Sequence, residues 1–498
     1  MAKDALSRRP EVFAALALTA LYVALIGGHS YSIDGVLMYR QALSIVHDAS
    51  LRFAVPVHWG GDVFTTSRYG IGQSLLYLPG VALLAVLHVP VPVPGSNPYD
   101  WDLFYRDLVY TIGGAPVHIL VTVATAYLVA RFVKELGHGS KTALLALASY
   151  GIASPAIVYA RGDFSQPLLG LCLMLALLAA QRYRVSGGNR SLVVAAAAMV
   201  FGVLTRPAEG SLLLPALLLM IAPDLRPARW RAATYKAVAI VVGSYGVAVA
   251  LTLVVNWGRF GSPIETGYSG VINWGTPIWV GVPGVLLSPA RGIVWQFPLI
   301  LLAPLGVWRM LRSANSRVAI VMAALVLLLF LNTALWTPWW GGWSWGSRLF
   351  VPAWPVVAIL AAIGSVSLSP SIRVWLTATL FVAGALWAVP GTVTDLLGGY
   401  ASTYDGSAQS FALAGYPPIG AWQFLHHLRA VDLGDSSAVD ILWVRIAHRT
   451  GNASLLVPVI LLFSAATLAW MAVRAERPSA TRPIASVLPA AQPGQAKG

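Results

Sequence analysis

The sequence predicts an all-α protein that crosses a membrane many times. Three observations carry this. Hydrophobic residues fill 57% of the 498 positions and charged residues only 10%, against roughly 25% charged in a soluble domain. Mean hydropathy is +0.71, and the apolar residues gather into runs near the roughly 20 residues that a helix needs to cross hydrocarbon. The 19 tryptophans suit interfacial belts, where an amphipathic ring sits between lipid and water.

In chain order, a basic N-terminus precedes an apolar run over 11–28. No small-residue cleavage site follows it, so it reads as a retained first helix. Further spans are expected near 109–133, 141–159, 165–182, 190–205, 208–223, 236–257, 292–311, 317–336, 349–367, 372–390 and 453–473. That makes about twelve transmembrane helices, the pair 190–205 and 208–223 being short. The stretch 74–93 is interrupted by Pro79 and Pro90 and reads as an outer interfacial segment. With both ends inside, most of the 33 basic residues fall in inner loops, as the positive-inside rule requires. The acids Asp34, Asp163, Glu209, Asp395 and Asp440 fall on the outer side, which is where chemistry is expected.

The expected organisation is a transmembrane core over 1–390, with a first outer loop at 29–108 carrying juxtamembrane helices (an amphipathic one over 35–47). A small outer cap follows at 391–452, then a last transmembrane helix at 453–473. The Pro-, Ala- and Gln-rich stretch 474–498 is expected to be a disordered cytoplasmic tail. The net charge of +14 is dispersed among short loops, so it reads as topology determinants and no nucleic-acid partner is implied. The lone Cys172 rules out an intrachain disulfide. No P-loop, GxGxxG after a strand, HExxH or Cys/His metal spacing occurs. No cofactor is implied, and a divalent metal is not indicated.

Asp34, in Tyr31-Ser32-Ile33-Asp34-Gly35, stands at the outer mouth of the first span. It reads equally as a helix N-cap and as a general base at the lipid–water boundary. Arg161-Gly162-Asp163-Phe164-Ser165-Gln166 lies at an outer turn, where Asp163 reads as a cap or as a ligand contact. Arg206 and Glu209 are three residues apart and are expected to pair. Two stretches look anion-directed, Ser288-Pro289-Ala290-Arg291-Gly292 and the Trp-rich 339–348 ending in Arg348. Each sets one Arg with small residues at an outer helix start. Trp343 and Trp345 belong to a loop with more indole than a belt needs, suited to stacking on sugar rings.

Together these motifs resemble the GT-C superfamily of membrane glycosyltransferases, near its protein O-mannosyltransferase and aminoarabinose transferase branch. The resemblance is carried by Tyr31 to Gly35, Tyr69-Gly70-Ile71-Gly72-Gln73 to Pro79, Asn256-Trp257-Gly258-Arg259-Phe260-Gly261-Ser262-Pro263 to Tyr268, Ser288 to Pro298, and Gly342 to Pro352. It implies a polyprenyl-phosphate-linked sugar as donor and inverting transfer to a glycan, lipid or protein acceptor. It implies an inner or plasma membrane protein with its active site on the outer, periplasmic face. Asp34 takes the family's catalytic acidic position, with Arg348 and Arg291 holding the donor phosphate. Asp163, Tyr69, Arg206, Glu209, Trp343 and Trp345 would line the substrate cleft. The family often has two adjacent acids in the first loop, whereas Gly35 follows Asp34 here, which weakens the case for a metal-assisted version.

A transporter or lipid flippase is the principal non-catalytic alternative, but no halves repeat and the acids lie at the outer rim rather than the midplane. A polymerase or ligase of lipid-linked glycans would share the outer active site and differ in using a lipid-diphosphate donor.

Overall fold

The computed structural model describes residues 9–59, 62–90, 109–222, 231–268, 274–394, 406–417, 419 and 439–475. Most of the expected cap, including His426 and His427, the stretch 91–108 and nearly all of the 474–498 tail lie outside the described residues.

Helix α1 (Pro10–Ala24) enters the bundle, and α2 (Ile33–Asp48) is the expected juxtamembrane helix. The N-cap of α2 is Ser32, whose hydroxyl accepts from the Gly35 amide at 3.0 Å, so capping falls to Ser32 and Asp34 is left in the first turn. A two-stranded antiparallel ribbon, β1 (Val57–Trp59) with β2 (Asp62–Phe64), then pairs Val57 with Phe64. Helix α3 (Ile71–Val86) carries Pro79 inside it and packs on α2.

The chain continues through α4 (Ala115–Glu135), α5 (Ser140–Gly151), α6 (Gln166–Ser186), α7 (Asn189–Thr205), α8 (Leu213–Ile221) and α9 (Ala232–Phe260). Then come α10 (Ile278–Leu287), α11 (Ala303–Leu311), α12 (Ser316–Leu335), α13 (Trp354–Ser365), α14 (Pro370–Val393), α15 (Leu442–Thr450) and α16 (Leu456–Arg474).

Seven helical stretches are long and apolar enough to cross a membrane, and the protein is a polytopic all-α membrane protein. The remaining expected spans are shorter or broken among the described residues. The run near 292–311 splits at Pro298 into a helical turn, a 3-10 stretch and α11, because proline removes an amide donor and clashes with the preceding turn. The run near 208–223 divides into a four-residue turn at Pro207–Gly210 and α8.

Burial sorts the helices. The stretch Arg348–Ser365, which runs into α13, is 94% buried, whereas α16 is 6% and α9 11% buried. An apolar helix that exposes most of its surface meets lipid, and one buried all round is core. So α13 is the central post, packed by α5, α11 and α4, and α16 lies outside against α1. The central post matters for function because the 3-10 stretch Arg348–Ala353 that leads into it presents Arg348.

Candidate functional site

Three segments far apart in sequence meet at the start of α2. The first, residues 30–32, is held by Asp163. This fully buried carboxylate accepts from the Ser30 hydroxyl at 2.7 Å, the Tyr31 and Ser32 amides at 2.9 and 3.1 Å, and the Ser32 hydroxyl at 2.7 Å. Burial raises its pKa from the ordinary value, and these four donors pull it back. Gly35 has to be glycine here, because a Cβ would lie 2.0 Å from the Asp163 carboxyl. Asp163 is therefore sealed behind α2 and belongs to the scaffold, a correction to its expected place in the cleft.

With that loop fixed, Asp34 projects from the first turn of α2. Its Oδ1 accepts from the Tyr69 hydroxyl at 2.6 Å and its Oδ2 from Arg348 Nη1 at 3.0 Å. Arg348 also lies over the Phe164 ring, 5.1 Å from its centroid. Burial and the Asp34 charge hold the Tyr69 hydroxyl well above the ordinary tyrosine range, so it stays protonated and donates.

Arg348 is aimed by the Trp-rich loop, and Arg291 shapes that loop. Arg291 is fully buried and donates through Nη1 to the carbonyls of Ser344 and Gly346 and through Nη2 to that of Gly342. Its guanidinium thus gathers loop carbonyls. Its described contacts fit a brace for that loop rather than the phosphate ligand expected of it. Trp345 is buried against Trp387 at 5.4 Å between centroids, so it is a packing residue. Trp343 is exposed but lies outside the cavity described next.

On the other side of Tyr69 opens a cavity of about 530 Å³, lined by Tyr69, Arg68, Arg206, Glu209, Arg259 and Tyr268 among others, with Trp274 and Trp336 at its apolar wall. Arg206 donates to Glu209 through Nε and Nη2 at 2.9 and 2.6 Å, the expected pair. Burial disfavours charge on Arg206, and Glu209 more than offsets it, leaving its pKa raised. Arg68 spans the Phe64, Tyr69 and Tyr268 rings at 5.3 to 5.6 Å, and its Nε lies 3.3 Å from the Tyr69 hydroxyl.

Arg259, at the end of α9, donates through Nη1 to the Tyr69 carbonyl at 2.7 Å. Its Nε and Nη2 are buried without a partner. Two such N–H groups on one buried guanidinium are costly unless something else receives them.

A further cluster ties the chain beyond the expected cap to the same loop. Asp440 accepts from Arg161 Nη2 and His29 Nε2, each at 2.7 Å, and from the Tyr31 hydroxyl at 2.5 Å. Sequence reasoning passed over Arg161, His29, Arg68 and Arg259 as site residues, and placed Asp440 on the outer side without giving it a role. Of these, Arg259 had a readable signal in Asn256-Trp257-Gly258-Arg259-Phe260-Gly261.

Among the described residues no group of three or more His, Cys, Asp or Glu side chains is placed to hold a metal ion. The site offers two paired carboxylates, Asp34 and Glu209, a neutral phenol, and guanidinium groups opening onto an apolar-walled cavity.

No family model matches the sequence, and no curated protein matches it. The structure, however, resembles ArnT from Cupriavidus metallidurans bound to undecaprenyl phosphate, with a TM-score of 0.51 at 16% identity, covering 93% of this chain and 77% of that one. The apo form of that protein gives a TM-score of 0.50 at 16% identity, over 93% and 76%. The Archaeoglobus fulgidus oligosaccharyltransferase is more distant, with a TM-score of 0.47 at 13% identity, over 86% of this chain and 58% of that one. The fold is the GT-C fold. Within that GT-C framework, the first outer loop and the starts of α3 and α13 supply the polar groups described above.

Proposed function

We propose that this protein is a membrane glycosyltransferase that moves a sugar from a polyprenyl-phosphate donor to an acceptor hydroxyl on the outer face, with inversion. The observation that carries this reading is Asp34, held between Tyr69 and Arg348 beside a cavity lined by arginines. Support for the donor class comes from undecaprenyl phosphate bound to a protein of the same fold.

Asp34 is the base. It takes the proton of the acceptor hydroxyl as that oxygen bonds to the anomeric carbon. The bond from that carbon to the phosphate oxygen breaks, and polyprenyl phosphate departs with the electron pair. Negative charge then grows on the phosphate, so preorganised guanidinium groups stabilise the transition state more than the ground state.

Arg348 is half of the Asp34 pair and orients the base. The donor phosphate goes to the cavity, where Arg259 brings two unpartnered N–H groups and Arg68 stands two hydrogen bonds from Asp34 through Tyr69. The outer, periplasmic placement follows from the charge bias of the loops, with most Lys and Arg on the opposite side.

The test is Asp34→Asn in proteoliposomes supplied with radiolabelled polyprenyl-phosphate sugars. Loss of label transfer by a factor of about 10² to 10⁴ is expected, with the thermal midpoint of the protein unchanged. Transfer at the wild-type rate in that variant removes Asp34 from the chemistry.

A further inference from the structure

The loop that carries Asp34 is held at its other end by His29, and the hydrogen bonds of that ring fix its protonation. His29 Nδ1 lies 2.8 Å from the Ser30 carbonyl oxygen, and Nε2 lies 2.7 Å from Asp440 Oδ1. The carbonyl accepts only. So does Asp440, because its carboxylate already receives Arg161 Nη2 and the Tyr31 hydroxyl. Two acceptors, one at each ring nitrogen, require a hydrogen on both. The ring also lies 4.2 Å from the Tyr31 ring, centroid to centroid, with Arg161 over that same ring at 5.5 Å.

We infer that His29 is an imidazolium that acts as a positioning residue for Asp34, so that deprotonating it loosens the loop and slows the reaction. The inference rests on the transfer proposed above. Among the described residues, the charged and titratable groups around His29 are Asp440 and Arg161 on the buried side, Tyr31 beside it, Asp163 one hydrogen bond away through Ser30, and Arg445, whose Nη1 reaches the Gly27 carbonyl at 3.4 Å.

Two carboxylates, Asp163 and Asp440, face two cations, Arg161 and imidazolium. Neutral His29 would take one positive charge away from the two carboxylates, with Arg445 standing farther off at the Gly27 carbonyl. The connection to Asp34 is direct in the chain. Asp440 grips His29 and Tyr31, the Leu442 amide donates to the Ile26 carbonyl at 2.7 Å, and Asp163 grips residues 30–32, the last of which caps α2. Gly28 sits under Leu442, where a Cβ would fall 2.6 Å from Cδ1, so residues 440–442 close directly over the loop.

The sign follows from the partners. Protonated His29 holds both acceptors, so the clamp is complete at low pH and is lost as pH rises through the histidine's folded-state pKa. Gln carries both of its N–H donors on one nitrogen, so it serves Asp440 but offers no donor on the opposite side for the Ser30 carbonyl, and it mimics the neutral ring.

The experiment compares full-length wild type with His29→Gln in nanodiscs by hydrogen exchange and mass spectrometry. The peptide spanning 26–36 is followed across pH 5.5 to 9, corrected for intrinsic exchange. Wild type is expected to open roughly tenfold more at the alkaline end, and His29→Gln to show the open behaviour at every pH. Label transfer from a polyprenyl-phosphate sugar, measured alongside, should fall on an alkaline limb in wild type and be low and flat in the variant.

Exchange that is independent of pH in wild type overturns the inference, as does an unchanged pH response in His29→Gln. The exchange readout requires no turnover. A protein that opens as described but transfers no sugar keeps the imidazolium clamp and discards the glycosyltransferase reading.

Discussion

Tyr69 divides the polar part of this protein into two regions of similar composition and opposite character. On one side lie Asp163, Asp440, Arg161 and Arg291, buried charges whose described contacts end on the chain itself. On the other lie Arg68, Arg206 and Arg259 around an open cavity, where Arg259 alone has two buried N–H groups without a partner. The difference separates scaffold from binding site better than residue type or conserved-looking spacing does. A buried ion that spends its hydrogen bonds on backbone carbonyls or amides is holding the chain in place. One that keeps two nitrogens in reserve beside a cavity, as Arg259 does, fits the anion site proposed for it, although Arg161 Nε on the closed side is also without a partner.

The largest effect is expected where the closed region is cut. Asp163→Ala removes the acceptor of four donors at residues 30–32. Leaving such groups buried and unpaired costs on the order of 3 kcal/mol or more, so the thermal midpoint should drop sharply and transfer should vanish with it. Asp163→Asn keeps one oxygen for the Tyr31 and Ser32 amides, and should stay within about 1 kcal/mol of wild type in denaturation. Equal losses in both variants would mean that the charge matters rather than the hydrogen bonds.

Cutting the open region should do the reverse. Arg259→Gln removes a charged donor from the cavity and should weaken binding of polyprenyl phosphate by about 10- to 100-fold, the range for hydrogen bonds to charged groups of about 1.5–3 kcal/mol. The stability change should be small, because only one of its described hydrogen bonds, to the Tyr69 carbonyl, is to protein. An uncharged polyprenol serves as the control and should bind both proteins alike. Arg291→Met sharpens the contrast. It should lower stability and yield while leaving lipid-phosphate affinity in the surviving folded fraction unchanged, since the described hydrogen bonds of its guanidinium go to the loop 342–346. Weaker phosphate binding by that folded fraction would return Arg291 to the binding site.

The sequence made parts of this legible and hid others for physical reasons. The helical, membrane-crossing class followed from composition and run length, which act locally. Asp34 stood out because a carboxylate at the end of an apolar run is expensive, and Tyr69 and Arg348 through motifs beside glycines. Arg206 and Glu209 were readable as a pair because i,i+3 spacing across a helix start brings the two side chains together. Arg291 and Arg348 looked alike, each before a helix with small neighbours. Only the fold reveals that the carbonyls of 342–346 turn toward the first. The Asp440 contacts were beyond reach, since His29 and Tyr31 lie some 400 residues away in the chain and no local pattern encodes such a meeting.

The last effect, read in its pH dependence rather than its size, belongs to Asp440, and it tests the closed region through acid. Burial works against its charge, but His29 and Arg161 overcome that and hold its carboxyl well below the ordinary 3.8. A folded pKa lower than the unfolded one gives stability that is present above the ordinary carboxylate range and is lost as pH falls through the folded value. Between pH 5 and 8 neither state changes protonation at this group, so its contribution should be constant there. Asp163 carries the opposite sign. Its raised pKa means the folded protein holds that proton more tightly, so acidification toward the carboxylate range relieves rather than strains it. Compared by thermal denaturation in the His29→Gln background, where no ring titrates beside it, Asp440 and its Asp440→Asn variant should therefore differ by a fixed amount from pH 5 to 8. Below about pH 4 the gap should narrow, as the Asp440 carboxylate loses the advantage that the amide never had. A gap that widens on acidification instead would mean that the network around Asp440 does not favour its charged form, and the distinction between a satisfied region and a waiting one would fail at its most buried ion pair.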